Sequence, residues 1–443
     1  MKSLKAILPV MLCAMVACKQ KSNEYKTAFS NPILFCKTVK QLNDVVLENN
    51  FPPVIASRNY VYANIAAYEC VAAGDSSFNS LHTQIKHLPK MPIADKTKEK
   101  NYSLAALLSF TKVGNAVTFP EGSMMGYYNE LKNMADSLGM PENILESTVA
   151  YSDSVVATIM RWSKKDNYAQ TRTAEKYSVQ TNIDGRWIPT PPMYASALEP
   201  HWREIRTMIL DSAAEFQPTA PPSFDIKNKN SIYYKALLEV KGIGDSLTDE
   251  QKLIADFWDD NPFKMNVVGH ASYATKKFSP PGHWMNIVGI AAKEAKADFN
   301  TTVAAYTQTA ISLFDGFISC WDEKYKTNCA RPETVINKFI TDTWRPYIQT
   351  PPFPSYTSGH ATISAAAAEV MTHWFGDKLP LSDTSLLEFG IKARTIQSFR
   401  AASKEAALSR LYGGIHFKHD NEAGNIMGTK IGIFILDKIK MKK

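Results

Sequence analysis

The chain has 443 residues and a formal net charge of +7, from 50 lysines and arginines against 43 aspartates and glutamates. These charges are dispersed, and the basic tail at residues 438–443 is interpreted as a solvated end, so no nucleic-acid partner is predicted. Six cysteines in a chain of this length exclude a disulfide-rich scaffold.

The N-terminus has the pattern of an export signal. A basic start at residues 1–5 is followed by a short apolar run over residues 6–17 and then by Cys18. This arrangement predicts a lipoprotein signal peptide over residues 1–18, with Cys18 as the lipidated first residue and a polar tether after it. A plain secretory signal is the alternative. We expect a protein in the periplasm or at the cell surface, held to a membrane only through its N-terminal lipid.

The remaining cysteines are Cys36, Cys70, Cys320 and Cys329. None has CxxC spacing, so a thiolate metal site is not predicted. An oxidising compartment permits a disulfide, but we expect Cys320 and Cys329 to be buried thiols rather than a bridge.

Apolar residues recur at helical spacing through most of the chain, and no strand alternation of useful length appears. The segments predicted to be helical are 42–47, 60–73, 104–113, 124–138, 144–162, 232–240, 249–258, 284–297, 300–324, 386–412 and 426–440. Proline-rich residues 186–192 and 218–223 predict loops. The second loop is taken as the boundary between an N-terminal helical region, 19–220, and a C-terminal helical domain, 221–443. The fold class is therefore predicted to be all-α.

The first of three polar clusters is Lys324-x6-Arg331-Pro332. Seven residues make about two helical turns, so one helix would direct both cations from one face toward the same point. Pro332 predicts that this helix ends or kinks there and leaves the Arg331 guanidinium free. A planar guanidinium and an ammonium that converge suit an oxyanion. The alternative is a solvated helix end.

The second cluster is Ser358-Gly359-His360, between a proline-rich segment at residues 350–357 and an alanine-rich run. Proline cannot occupy a helix interior, whereas alanine favours one, so the cluster is predicted at a helix N-terminus. Free backbone N–H groups there form an anion site. An ordinary capped helix start is the alternative.

The third cluster is Ser409-Arg410-x5-His416-x3-Asp420. Gly413 and Gly414 lie inside it, which predicts a helix that ends near residue 412 and a loop that presents His416. Asp420 is expected to accept a hydrogen bond from the second ring nitrogen of His416 or to pair with Arg410. A surface patch that includes His419 is the alternative.

Taken together, the order and spacing of these clusters resemble the signature of the superfamily that unites vanadium-dependent haloperoxidases with type 2 phosphatidic acid phosphatases. The overall layout is most similar to bacterial vanadium-dependent iodoperoxidases. Many members have proline before Ser-Gly-His, where this chain has Thr357. The resemblance implies two packed helical bundles, with a vanadate site in the C-terminal bundle.

The resemblance also implies the cofactor, vanadate, and the substrates, hydrogen peroxide and halide. It implies that His416 is the metal ligand and that His360 is the acid/base group. The full set of residues implied to contact vanadate is Lys324, Arg331, Ser358, Gly359, His360, Arg410 and His416. Its cations would neutralise the anion's oxygens, and His360, His416, Arg410 and Lys324 would be catalytic. The implied reaction is Lewis-acid activation of hydrogen peroxide for halide oxidation, without redox change at the metal.

The pocket walls are used to separate haloperoxidase from phosphatase. Trp321 and Phe353 would form an aromatic wall suited to a halide site, although most aromatics are simply core. Residues 257–263 resemble a loop that borders the pocket in bacterial members, and its Phe263 has no hydroxyl to donate. His283 and His270 are interpreted as structural.

Two alternative functions stay open from the residues alone. In an acid phosphatase of the same superfamily, His416 would be the nucleophile and His360 would protonate the leaving group. The long chain before Lys324 favours the haloperoxidase, because minimal phosphatases of this superfamily are short. A non-catalytic anion-binding lipoprotein is the third hypothesis. Among halides, iodide is favoured and bromide is possible.

Overall fold

The computed structural model describes residues 23–268 and 270–443. It is predominantly helical with two small hairpins, so the all-α prediction is confirmed. The predicted signal peptide at residues 1–18 lies outside the described residues. Within the described residues, no helix combines the length and the hydropathy needed to cross a membrane.

The helices of the described chain are α1 (Glu24–Phe29), α2 (Pro32–Glu48), α3 (Pro53–Gly74), α4 (Tyr102–Val117), α5 (Met125–Ser137), α6 (Glu142–Ser163), α7 (Tyr168–Thr171), α8 (Ile232–Asp245), α9 (Asp249–Phe257), α10 (Pro280–Glu294), α11 (Phe299–Thr327), α12 (Pro332–Phe339), α13 (Gly359–Phe375), α14 (Phe399–Tyr412) and α15 (Lys418–Lys438). Short 3-10 helices lie at Trp202–Glu204 and Leu387–Phe389. The strands are β1 (Lys264–Val268), β2 (Ala271–Thr275), β3 (Leu381–Asp383) and β4 (Arg394–Ile396).

Helix α11 is the centre of the molecule. It spans 29 residues, most of its side chains are buried, and it packs against both α3 and α13. Its Asp315 carboxylate accepts hydrogen bonds from the backbone N–H groups of Met208 and Ile209 at 2.7 and 2.8 Å. The largest hydrophobic core draws residues from both sides of position 220. The domain boundary placed there from the sequence stays a prediction.

The sequence-based helix over residues 386–412 was wrong in its first half. Strands β3 and β4 pair as an antiparallel hairpin, with Leu381 opposite Ile396, and α14 begins only after the Ser398 cap. Gly390 adopts a left-handed conformation with φ 75° inside this hairpin, which interrupts a helix. The hairpin of β1 and β2 was also missed, because five-residue strands give little alternation.

Helices α13 and α15 approach each other closely through glycines. A Cβ atom added at Gly428 would lie 1.9 Å from the backbone oxygen of Thr362, and one at Gly424 would lie 2.8 Å from the backbone oxygen of Ser358. These contacts leave no room for any side chain. They place the N-terminus of α13 beside the loop that precedes α15.

Cys36, Cys70, Cys320 and Cys329 are all free thiols. Cys320 is buried, Cys329 is half-buried, and the two are not joined by a disulfide. Burial raises the pKa of the Cys329 thiol to about 11, so the thiol is protonated at neutral pH.

Candidate active site

The three polar clusters meet at one place. Arg331 Nη1 lies 2.9 Å from His416 Nε2, and the backbone N–H of Ser358 donates to the Asp420 carbonyl oxygen at 3.1 Å. Residues separated by almost a hundred positions therefore come together, and Gly359, His360, Arg410 and His416 line one cavity. Lys324, Arg331, Ser358 and Arg410 are all buried there.

The expectation that Lys324 and Arg331 share one helix was wrong. Helix α11 ends at Thr327, where Asn328 takes a left-handed conformation with φ 50° and caps it. Arg331 is then the N-cap residue of α12, and Pro332 occupies the first helical position. Proline suits that position because its fixed φ matches the helix and no N–H is lost. Pro332 therefore starts a helix rather than ending one.

The Lys324 ammonium is fully buried and organises the segment before α13. It donates to the backbone oxygens of Pro354 and Ser355 at 2.9 Å and to that of Thr357 at 2.5 Å. These three bonds use all three of its hydrogens. Burial lowers the pKa of Lys324 to about 7. The side chain thus fixes the approach to the α13 N-terminus and brings a cation beneath it.

The Arg331 guanidinium is also fully buried, and one of its three nitrogens has no acceptor. Its Nε donates to the Phe353 carbonyl at 2.8 Å, and Nη1 donates to the Ile415 carbonyl and to His416 Nε2 at 2.9 Å. Its Nη2 is buried and has no partner among the described residues. Burial lowers the pKa of Arg331 to about 9. A buried charged donor without an acceptor is costly, so this atom indicates a place for an anionic ligand.

The hydrogen bonds of His416 define its tautomer. A guanidinium can only donate, so His416 Nε2 must be the acceptor and carry a lone pair. Its Nδ1–H donates to Asp420 Oδ2 at 2.9 Å, and Ser355 Oγ donates to the same oxygen at 2.5 Å. Burial, and then the charge of Arg331, hold the pKa of His416 well below its usual range. The ring is therefore neutral, with its Nε2 lone pair directed at Arg331.

The Ser-Gly-His cluster lies at a helix N-terminus, as the sequence predicted. Ser358 caps α13 and accepts a hydrogen bond from Ala361 N, and Gly359 and His360 are the first two helical residues. A Cβ atom added at Gly359 would lie 3.6 Å from the Trp321 ring. As the first residue of α13, Gly359 has a backbone N–H without an acceptor inside the helix, where an anion can bind.

His360 and Arg410 lie in the wall of the same cavity. Burial, and then the charge of Arg410, lower the pKa of His360 to about 4, so the ring is neutral at neutral pH. Its buried Nε2 has no hydrogen-bond partner in the described part of the chain and lies 3.6 Å from Asp260 Oδ2. Arg410 donates through Nε to Ser409 Oγ at 3.0 Å and through Nη2 to the Trp258 carbonyl.

The cavity has a volume of about 420 Å³ and is mostly apolar. Trp321 is buried, with its ring 4.9 Å from that of Phe353 and 5.4 Å from that of Phe317. Phe263 lines the wall with 43% of its surface exposed. The N-terminal half contributes Pro52, Pro53, Met193 and Leu198, which the sequence did not indicate.

Two functional candidates were missed from the sequence. Ser355 was not singled out within its proline-rich segment, although it bonds the carboxylate that orients His416. Asp260 was noted only as part of an aromatic loop. An acidic pair directly after a helix, as at Asp259 and Asp260, was the available signal.

The donor set fits a tetrahedral oxyanion. It combines a left-over guanidinium N–H, a helix N-terminus, a second arginine and one imidazole lone pair, which together match several oxygens and one central atom. In the described residues, no group of three His, Cys, Asp or Glu side chains is arranged to hold a metal cation. The anion-pocket prediction therefore has a physical basis in this chain.

The chain is similar to vanadium-dependent haloperoxidases in sequence and in fold. Residues 304–442 match the family model for the VCPO second helical-bundle domain. A crystal structure of the first bacterial vanadium-dependent iodoperoxidase is similar at 40% identity with a TM-score of 0.88, over 93% of this chain and 97% of that one. Holo and apo structures of a bacterial vanadium-dependent chloroperoxidase are similar in fold, each at 16% identity, with TM-scores of 0.66 and 0.64. They cover 87% and 86% of this chain, and 92% and 93% of their own. No curated protein sequence gives a significant match.

Proposed function

The chain belongs to the vanadium-dependent haloperoxidases, and from this premise we propose that it binds vanadate and oxidises halide with hydrogen peroxide to hypohalous acid. In the overall reaction a halide ion, hydrogen peroxide and a proton give hypohalous acid and water. Bound vanadate would supply a Lewis-acid centre that activates hydrogen peroxide.

One observation carries the proposal: the His416 Nε2 lone pair lies beside a guanidinium that still has a free donor. Asp420 and Ser355 hold the ring in the ligand-competent tautomer. A neutral imidazole nitrogen is a good ligand, and a carboxylate behind it fixes its orientation. His416 would therefore hold the central atom while Arg331 binds an oxygen.

The other residues would complete the anion site. Arg410 and the Gly359 amide would bind oxygens, Ser358 would donate its hydroxyl, and Lys324 would add positive charge from below. His360 is neutral at neutral pH, so it would accept the proton that hydrogen peroxide loses on binding and return it to a departing oxygen. The dense positive charge would stabilise negative charge that develops on those oxygens.

Iodide is proposed as the preferred halide, with bromide possible, because iodide is the easiest of the halides to oxidise. The aromatic wall of Trp321, Phe353 and Phe263 would flank the halide. We also propose export through the signal at residues 1–18 and lipidation at Cys18. Both follow from the N-terminal pattern, and globomycin-sensitive processing with palmitate labelling of the expressed full chain would test them.

Vanadate itself separates the candidate functions. The protein is freed of vanadate, and triiodide formation and p-nitrophenyl phosphate hydrolysis are measured as vanadate is added back. A haloperoxidase gains iodide oxidation, whereas a phosphatase is inhibited by the same anion. Tight binding without either activity would instead indicate an anion-binding protein. His416→Ala is the negative control, because it removes the proposed ligand.

A further inference from the structure

A second histidine lies behind the active site, completely buried. His283 sits in the first turn of α10, 0% exposed, with Nδ1 2.8 Å from Asp260 Oδ1 and Nε2 2.9 Å from Asp383 Oδ2. Two ionised carboxylates both accept, so each ring nitrogen carries a hydrogen and the ring is an imidazolium. Burial alone would lower the pKa of His283, but the two carboxylates outweigh it and raise the pKa to about 10.

This imidazolium is connected to the active site through Asp260. One carboxylate oxygen of Asp260 faces His283, and the other lies 3.6 Å from His360 Nε2. The Trp258 ring covers His283 at a centroid distance of 4.9 Å. The orientation of the Asp260 carboxylate is therefore held by a residue that does not line the cavity.

Asp383, the second carboxylate that contacts His283, is also fixed by hydrogen bonds. Asp383 ends strand β3, is 0% exposed, and accepts from the backbone N–H and the hydroxyl of Ser385 at 2.9 and 2.6 Å. If the imidazolium were lost, two buried carboxylates would lose the cation that neutralises them, and an unpaired buried charge is strongly unfavourable. Removal of the imidazolium would therefore disturb the charge or the direction of Asp260.

We propose that His283 is a positioning residue for the haloperoxidase reaction: braced by Asp383, it fixes the Asp260 carboxylate against His360 and so sets the proton affinity of the acid/base group. The inference rests on the proposed role of His360. The other charges that act on His360 are Arg410, from α14, and Asp259. In the described residues, the hydrogen bonds and ion pairs of the His283 ring go to Asp260 and Asp383 and to neither of these groups, so the interaction through His283 can be perturbed separately.

The first test needs no vanadate and no turnover. Histidine side chains are labelled with ¹⁵N, and the titration of His360 is followed by NMR in the wild type and in Asp260→Asn, His283→Gln and Asp383→Asn. We expect His283 to carry both ring protons at neutral pH. The His360 midpoint should move in the same direction in all three variants, by about half a pH unit or more, a threefold change in proton affinity. An unchanged midpoint in folded Asp383→Asn and His283→Gln would overturn the proposal.

The second test uses the vanadate-loaded enzyme. With vanadate and substrates saturating, His283→Gln should lower kcat at least tenfold and shift its pH profile as Asp260→Asn does, while the vanadate Kd changes less than threefold. The double variant that combines His283→Gln and Asp260→Asn should have about the same kcat and pH profile as either single variant, because the effects of residues in direct contact are not additive. His373→Gln, an exposed histidine on α13, is the matched control. If His283 were purely structural, His283→Gln would lower Tm and leave the pH profile unchanged. That result would refute the proposal. Failure of the proposed function would appear separately, as a wild type without vanadate-dependent turnover.

Discussion

The close approach of α13 and α15 makes a quantitative prediction for Gly428→Ala. The new Cβ would lie 1.9 Å from the Thr362 backbone oxygen and 3.0 Å from Ala365 Cβ. An ordinary contact needs more than 3 Å, so the helices must separate by roughly 1 Å, and overpacking of this kind costs about 1–3 kcal/mol or more. We place Gly428→Ala at about 3 kcal/mol because backbone, not a flexible side chain, is the obstacle.

The matched control is Gly242→Ala in α8, where an added Cβ meets nothing within 4 Å. Alanine there should stabilise the helix by about 0.5–1 kcal/mol. Thermal unfolding should show Gly428→Ala several degrees below the wild type and Gly242→Ala at or above it. Because Gly428 sets the distance between the α13 N-terminus and the His416 loop, vanadate affinity should fall too. A Gly428→Ala variant with unchanged Tm and affinity would refute the packing argument.

Three further outcomes are expected. Arg331→Lys should weaken vanadate binding about 10–100-fold, since a lysine cannot replace a guanidinium that bonds three acceptors and keeps a whole nitrogen free. Calorimetric titration with vanadate measures this, and an affinity within twofold of the wild type would contradict it. The folded pKa of His283 is about 10, above its usual 6.5, so its stabilising contribution is complete below pH 6.5 and is lost as pH rises through 10. The Tm advantage of wild type over His283→Gln should therefore shrink from pH 7 to pH 10, and a constant difference would count against the imidazolium. Cys70 and Cys320 are both buried, so they should not react with a thiol reagent in the native protein and should react once it unfolds. Labelling of either thiol in the native protein would contradict their burial.

The sequence predicted those parts of the site whose signals are local. A serine followed by glycine and an alanine-rich run led to the α13 N-terminus, and paired glycines placed His416 in a loop. The sequence-based prediction failed where one local pattern is compatible with two structures. Pro332 serves equally at a helix start or after a helix end, and the left-handed Asn328 decided between them.

Contacts between distant segments were beyond its reach. Asp260 and Asp383 are separated by more than a hundred residues, yet both bond His283, which the sequence marked only as structural. The Leu198 carbonyl, which accepts from Trp321 Nε1 at 3.2 Å, belongs to a loop with no motif of its own. Tertiary packing brings these groups together, and a single sequence contains no local pattern that predicts such contacts.

The three hydrogen bonds from the Lys324 ammonium to backbone carbonyls have a consequence for how the protein takes up vanadate. They hold the rim of the anion site by contacts internal to the chain, so the receptor is assembled before the anion arrives. Reconstitution of the stripped protein should then follow simple second-order kinetics, with a rate proportional to vanadate concentration. In a solution poor in vanadium, the protein would therefore bind vanadate without first having to rearrange this segment.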